Sequence, residues 1–252
     1  MPVLPGAEPF SHDGEGSEGA IGVLISHGFT GTPQSMRPWA EHLAAEGFTV
    51  RLPRLPGHGT TWQEMNRTRF EDWFAVIDAT FTELSARCSQ VVVAGLSMGG
   101  TLVTRLAEQR GTEVAGLMLV NPAFRTDDRR LAALPVVKHL VPSFPAIGND
   151  VRKEGVSELA YSRTPLKALH SLVQAWDVVV HDLPQVTQPL LLFRSAVDHV
   201  VPASSSALLL SRVSSKDVTE VILDNSYHVA TLDNDAEQIF KLSADFVRRV
   251  TT

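Results

Sequence analysis

The sequence predicts an α/β domain, with a mostly parallel sheet covered by helices on both faces and one helical insertion. Three observations predict it. Strand-like apolar runs alternate with helix-like segments along 252 residues, enough chain for one large domain or one domain carrying an insertion. The strand runs are nearly continuous in apolar residues, as expected where both faces of a sheet are covered. One long stretch, residues 122–187, breaks the alternation.

The elements follow in order. HDGEGSEG (12–19) reads as a polar loop. AIGVLISH (20–27) reads as a buried strand, and HGFTGTP after it as a Gly/Pro-rich loop. SMRPWAEHLAAEG (35–47) reads as a helix capped by Ser35. Pro38 falls in its first turn, where backbone N–H groups lack partners anyway, and Gly47 ends it. FTVRLPRL (48–55) is a second strand, followed by Gly-rich PGHGTT. Thr68 and Glu71 fit a capping box. Behind them Phe70, Trp73, Phe74, Ile77, Phe81 and Leu84 recur at helical spacing, which marks a core-facing stripe. QVVVAGL (90–96) is a third strand, MGGTLVTRLAEQRG (98–111) a helix ended by Gly111, and VAGLMLVN (114–121) a fourth strand. QPLLLFRS (188–195) and VTEVILD (218–224) are the last two strands. Asn234 and Glu237 open a C-terminal helix carrying Ile239, Phe246 and Val250.

The interruption divides the chain into a core, residues 1–121 and 188–252, and an insertion, residues 122–187. The insertion carries Pro135, Pro142, Pro145, Pro165 and Pro184 and no good strand; helices are expected near 152–161 and 165–181. It should lie over the C-terminal edge of the sheet, where open α/β sheets carry their sites.

Composition excludes several classes of function. Apolar residues make up 44% of the chain and the formal net charge is −6. Without a basic run, nucleic acid is not expected as a partner. A single cysteine, Cys88, allows no internal disulfide and fits a reducing cytoplasm. Its neighbours RCSQ form no Gly-rich turn, so it reads as structural. The N-terminal stretch lacks a basic region followed by an apolar core, so no secretory signal is expected. No apolar run approaches membrane-spanning length, so no stable membrane anchor is expected either.

The chemistry lies in the loops. GLSMG (95–99) fits G-x-S-x-G between a strand and a helix. Small residues let strand and helix nearly touch, and the turn holds the Ser97 hydroxyl at the sheet's edge. The following helix points its N-terminal N–H groups there, which favours developing negative charge. Serine needs a base, and the chain has nine histidines. His12 lies in a polar loop, His42 and His170 in helix patterns, and His139 and His181 in the insertion. His27 and His58 sit in Gly-rich loops that could shape the site. His228, in DNSYHVAT after the last strand, must end at the same edge as Ser97. Asp198, in SAVDHVVP after the preceding strand, is positioned to orient it. Asp224 is the rival acid and His199 the rival base. The order Ser97, Asp198, His228 is that of an α/β-hydrolase. Two N–H donors for an oxyanion are expected from Met98, next to the nucleophile, and from Phe29 in the HGF loop.

The set HGFTGTPQSMRP, RLPRLPGHGTT, GLSMGGTL, SELAY, DHVVP and NSYHVATLD closely resembles bacterial monoacylglycerol lipases and the related thermostable carboxylesterases, over nearly the whole chain. The resemblance assigns the same Ser97, Asp198, His228, Phe29 and Met98. It implies a glycerol monoester of a medium or long fatty acid as substrate, transient contact with lipid interfaces at most, and no metal or organic cofactor. It also implies that the insertion is a lid, in which Ile147 and Glu158 resemble positions lining the acyl tunnel and the glycerol end. A general carboxylesterase and a non-catalytic binder of an apolar ligand are the alternatives.

Overall fold

A computed structural model describes residues 2–146 and 148–252. In chain order the elements are β1 (Phe10–His12), α1 (Gly16–Gly19), β2 (Ile21–Ser26), α2 (Arg37–Ala45), β3 (Thr49–Leu52), α3 (Trp62–Met65), α4 (Phe70–Ser85), β4 (Gln90–Leu96), α5 (Met98–Arg110) and β5 (Val114–Val120). Then come α6 (Leu134–Leu140), β6 (Ser143–Pro145), β7 (Arg163–Pro165), α7 (Leu166–Asp182), β8 (Leu190–Ser195), α8 (Ala203–Arg212), β9 (Val218–Leu223) and α9 (Ala236–Val250). Seven strands form one sheet in the order β1-β3-β2-β4-β5-β8-β9. Every neighbouring pair in it is parallel except β1 with β3.

The continuous apolar runs have the expected cause. Val23 and Ile25 of β2, with Val92 and Ala94 of β4, face one layer built from α2 and α9, through Trp39, Leu43, Ile239 and Val247. Leu24, Val91 and Val93 face the opposite layer, where Trp73, Ile77 and Phe81 of α4 meet Leu102 and Leu106 of α5 and Val179 of α7. Side chains alternate across a strand, so both parities must be apolar when both faces are covered. The aromatic stripe of α4 is this core, with Trp73 and Phe81 fully buried.

Several local expectations are corrected. The first turn of α4 is closed by Asp72, whose Oδ2 accepts the Arg69 N–H at 2.8 Å. The box therefore lies one residue later than Thr68 and Glu71, and the Thr68 hydroxyl instead donates to the Met65 carbonyl. Ser35 does not cap α2: it closes a short 3-10 turn, Pro33–Ser35, capped by Thr32, and Met36 stands at the α2 N-cap. Asp235, not Asn234, stands at the N-cap of α9. His12, read as the start of a polar loop, instead ends β1, which pairs with β3.

Within 122–187 the helix near 165–181 is present as α7, but β6 and β7 form a short antiparallel ribbon where no strand was expected. The helix expected near 152–161 is absent. Its backbone donors are taken by other groups: Glu158 N–H by Asn149 Oδ1, Leu159 N–H by Gln34 Oε1 and Tyr161 N–H by the Thr30 carbonyl. Gly155 also turns the chain at φ +75°. Contacts to Asn149, Gln34 and Thr30 thus outcompete a local helical ladder. No helix among the described residues is long and apolar enough to cross a membrane.

Candidate active site

The β4–α5 turn is tightly packed. Ser97 has φ 55° and ψ −119°, a conformation a side chain adopts only where its surroundings hold it there. Its N–H donates to the Val120 carbonyl at 3.0 Å, and its own carbonyl accepts the N–H groups of Thr101 and Ala123, each at 3.2 Å. The flanking glycines are required by contact. A Cβ on Gly95 would stand 2.3 Å from the Gly99 carbonyl carbon, and one on Gly99 would stand 2.2 Å from the Ser26 carbonyl oxygen. Those neighbours are backbone and cannot swing away. Gly99→Ala is therefore expected to cost about 2–4 kcal/mol of stability, in the range of severe overpacking. Urea unfolding checks this, and a loss below about 0.5 kcal/mol would contradict the close approach.

Asp198 and His228 leave the C-terminal ends of β8 and β9 and meet above the sheet. His228 Nδ1 lies 2.8 Å from Asp198 Oδ2, and both side chains are 8% exposed. The other carboxylate oxygen, Oδ1, accepts the N–H groups of Val200 and Val201 at 2.8 Å. Nδ1 thus carries the proton, and Nε2 is left as the acceptor. Burial alone would raise the Asp198 carboxyl, but the imidazole and the two N–H donors reverse this and hold it below its ordinary range. Burial alone would lower His228, but Asp198, joined by Glu158 and Asp150, raises it above its ordinary value.

The rivals are elsewhere. Asp224 is exposed, and its backbone carbonyl accepts from the Arg152 guanidinium. His199 is half exposed and turns Nδ1 to Asp150. His181 projects into solvent beside Asp182, His42 lies tilted against Phe240, and His170 lies against Lys138. Cys88 is a free, buried thiol that burial pushes up, so it is inert as a nucleophile.

Gly28 brings the HGF loop against Ser97: a Cβ there would stand 3.5 Å from Ser97 Cβ. His27 anchors this loop. Its Nε2 accepts the Leu55 N–H at 3.2 Å, so its Nδ1–H donates to the Gly28 carbonyl at 3.0 Å. His58 packs on His27 and Trp73, with ring centroids 5.0 and 5.4 Å apart. Burial drives His27 down to about 4 and His58 well below its ordinary value, so both are neutral. They shape the site by holding two Gly-rich loops together. The Phe29 ring packs edge-on to Trp73, and Thr30 next to it adopts φ 62°. Met98 opens α5, so its N–H is one of those with no acceptor inside the helix.

The insertion reaches the same place. Glu158 lies over the HGFTG loop, where a Cβ on Gly31 would stand 2.6 Å from its Oε1. Burial raises its carboxyl, opposed by His228 and Ser35. Ile147 lies outside the described residues. Asn121 was not singled out from the sequence. It sits at φ 43° just past β5; Nδ2 donates to the His228 carbonyl at 2.8 Å and to Ser195 Oγ at 2.9 Å, and Oδ1 accepts the Ser195 N–H. It joins the His228 loop to β8, the strand that leads to Asp198. The only hint is an Asn-Pro pair at a strand end, an ordinary turn signal.

The family described as "Serine aminopeptidase, S33" matches residues 20–235. A thermostable monoacylglycerol lipase of Bacillus sp. (strain H-257) is 43% identical over 246 residues, spanning 97% of this chain and 96% of that protein. A carboxylesterase of Bacillus subtilis (strain 168) is 23% identical, over 96% and 97% of the two chains. A solved structure from work on LipS and LipT, two metagenome-derived lipolytic enzymes, has a TM-score of 0.94 at 45% identity and covers 98% of this chain and 100% of that one. Paleococcus ferrophilus monoacylglycerol lipase has a TM-score of 0.80 at 21% identity, over 99% and 100% of the chains, a likeness of fold.

Proposed function

The chain belongs to the family described as Serine aminopeptidase, S33, within the α/β-hydrolases, and on that premise we propose that it cleaves monoacylglycerols to glycerol and fatty acid through an acyl-enzyme on Ser97. The observation that carries the reading is the bond from His228 Nδ1–H to Asp198 Oδ2 at 2.8 Å. It leaves Nε2 as a free base at the sheet edge that also presents the strained Ser97. The hydroxyl attacks the ester carbonyl carbon while Nε2 takes its proton. The Phe29 and Met98 N–H groups hold the oxyanion. The imidazolium then protonates the departing glycerol oxygen. In the second half Nε2 removes a proton from water, which attacks the acyl carbon and frees Ser97. Asp198 keeps the imidazole in the working tautomer throughout.

The substrate class is supported by the 43% identical lipase and by the insertion. Residues 122–187 act as a lid in this reading, over a core formed by 1–121 and 188–252. Its segments LAALPVV, LVPSFPAI and LKALHSLV are apolar enough to line an acyl tunnel, each buried methylene contributing about 0.8 kcal/mol. Glu158 offers a carboxyl where a free glycerol hydroxyl needs a partner. The single, free Cys88 supports a reducing, cytoplasmic setting.

The test is a set of initial rates on mono-, di- and trioleoylglycerol in detergent. Rates falling at least about tenfold from mono- to triacyl substrate are expected, because a second acyl chain would meet Glu158 rather than apolar wall. Equal rates on all three would leave a general esterase. That second reading is favoured by the likeness to the Bacillus subtilis carboxylesterase, and a chain-length series on simple esters separates the two.

A further inference from the structure

Between the two strands of its ribbon, the insertion runs through Asn149, at φ 58°, into Asp150, and Asp150 reaches both loops that carry the acid and the base. Its Oδ2 accepts the His228 N–H at 3.2 Å and the His199 N–H at 3.1 Å. Its Oδ1 pairs with His199 Nδ1 at 2.7 Å. Its backbone carbonyl accepts the Val229 N–H at 3.1 Å. One residue of the insertion therefore bonds the base residue itself, the residue after the base, and the residue after the acid.

The neighbours reinforce the arrangement. The Arg152 and Lys153 N–H groups donate to the Asp233 carboxylate, which also accepts the Tyr227 N–H. The Tyr227 ring meets His199 edge-on at 4.8 Å and lies under the Arg152 guanidinium at 5.9 Å. The Asp150 side chain is only 12% exposed, so its charge acts with little screening by solvent.

We propose that Asp150 is a positioning residue for ester hydrolysis: its carboxylate holds the Asp198 and His228 loops in register and keeps a negative charge beside the His228 main chain. This rests on the serine hydrolase reading above. A neutral acceptor could serve the N–H groups, but only a carboxylate adds charge where the imidazolium forms. The charged groups facing His228 are Asp198, Glu158 and Asp150, and all three favour its protonated form. Those facing Asp150 are His199 and His228; Arg152, next but one along the chain, is engaged by Asp224 and Tyr227.

The experiment is the pH dependence of kcat/KM on a soluble p-nitrophenyl ester for the parent, Asp150→Asn and Asp150→Glu, with Tm recorded for each. The acidic limb reports the base in the free enzyme. Removing a negative charge near an imidazolium lowers its pKa, so Asp150→Asn should move that limb to lower pH by about half a unit. It should also lower kcat about tenfold, with KM within about twofold of the parent, because the loops lose register. Asp150→Glu keeps the charge and changes the reach. Its limb should stay with the parent's while kcat falls. An Asp150→Asn limb that does not move, or a kcat that does not fall, overturns the proposal, as does a limb that moves equally in Asp150→Glu. A lower Tm with an unmoved limb would mean a structural tie only. Labelling of the parent's Ser97 by a fluorophosphonate checks the underlying reading separately: no labelling defeats that reading, whereas labelling that is slower in Asp150→Asn is the result expected here.

Discussion

Ser97→Ala is expected to lower kcat on any ester by on the order of 10⁴–10⁶-fold, the scale seen when a hydrolase loses a nucleophile that works as a unit with its base. Tm should stay close to the parent's. The strained backbone is held by the Val120 carbonyl and by the Thr101 and Ala123 N–H groups, none of which involves the hydroxyl. Alanine has a Cβ like serine and meets the same neighbours at φ 55°. Fluorophosphonate labelling should vanish with the activity. Ester hydrolysis at the parent's rate would end the assignment of Ser97 as nucleophile.

The second large effect is expected at Asp198. Asp198→Asn keeps the shape but replaces the carboxylate that receives His228 Nδ1–H. The amide can donate to Nδ1, which favours the tautomer with the proton on Nε2, where it cannot accept from Ser97. A loss on the order of 10⁴ in kcat follows by analogy with other triad acids. The sign of the pH effect is also set. The carboxylate raises His228, so its removal should move the acidic limb of the residual activity to lower pH. Asp224→Asn should stay within about threefold of the parent, because its side chain is exposed and, among the described residues, only its carbonyl is engaged, by Arg152. Greater damage from Asp224→Asn than from Asp198→Asn would exchange the two roles.

Local signals carried some of these residues and not others. Ser97 was legible because a sharp strand-to-helix turn needs glycine at two positions, and Gly95 and Gly99 are both pressed on backbone. His228 and Asp198 were legible through chain order, since each follows a strand of a parallel sheet and so ends at one edge. Asn121 and Asp150 gave no such signal. Asn121 acts through the carbonyl of a residue far along the chain, and Asp150 through N–H groups of two loops. A single asparagine or aspartate in a loop has many uses, and partners distant in sequence leave no periodicity.

The amino-acid sequence by itself determined the doubly covered parallel sheet, because apolar runs on both parities of a strand can be satisfied only by cover on both faces. It also determined the strand–Ser97–helix turn, the chain order Ser97, Asp198, His228, and the core stripe of α4. The tertiary structure alone decided the path of 152–161 and the pairing of β6 with β7. The Glu158, Leu159 and Tyr161 N–H groups find acceptors on Asn149, Gln34 and Thr30, and a backbone donor satisfied elsewhere adds nothing to a local helix. It likewise decided which of Asp198 and Asp224 meets His228. Both follow strands that end at the same edge, and only the fold turns one carboxylate onto Nδ1 at 2.8 Å and leaves the other in solvent. Such choices rest on hydrogen bonds between loops far apart in the chain, whose geometry exists only once the sheet has brought them together.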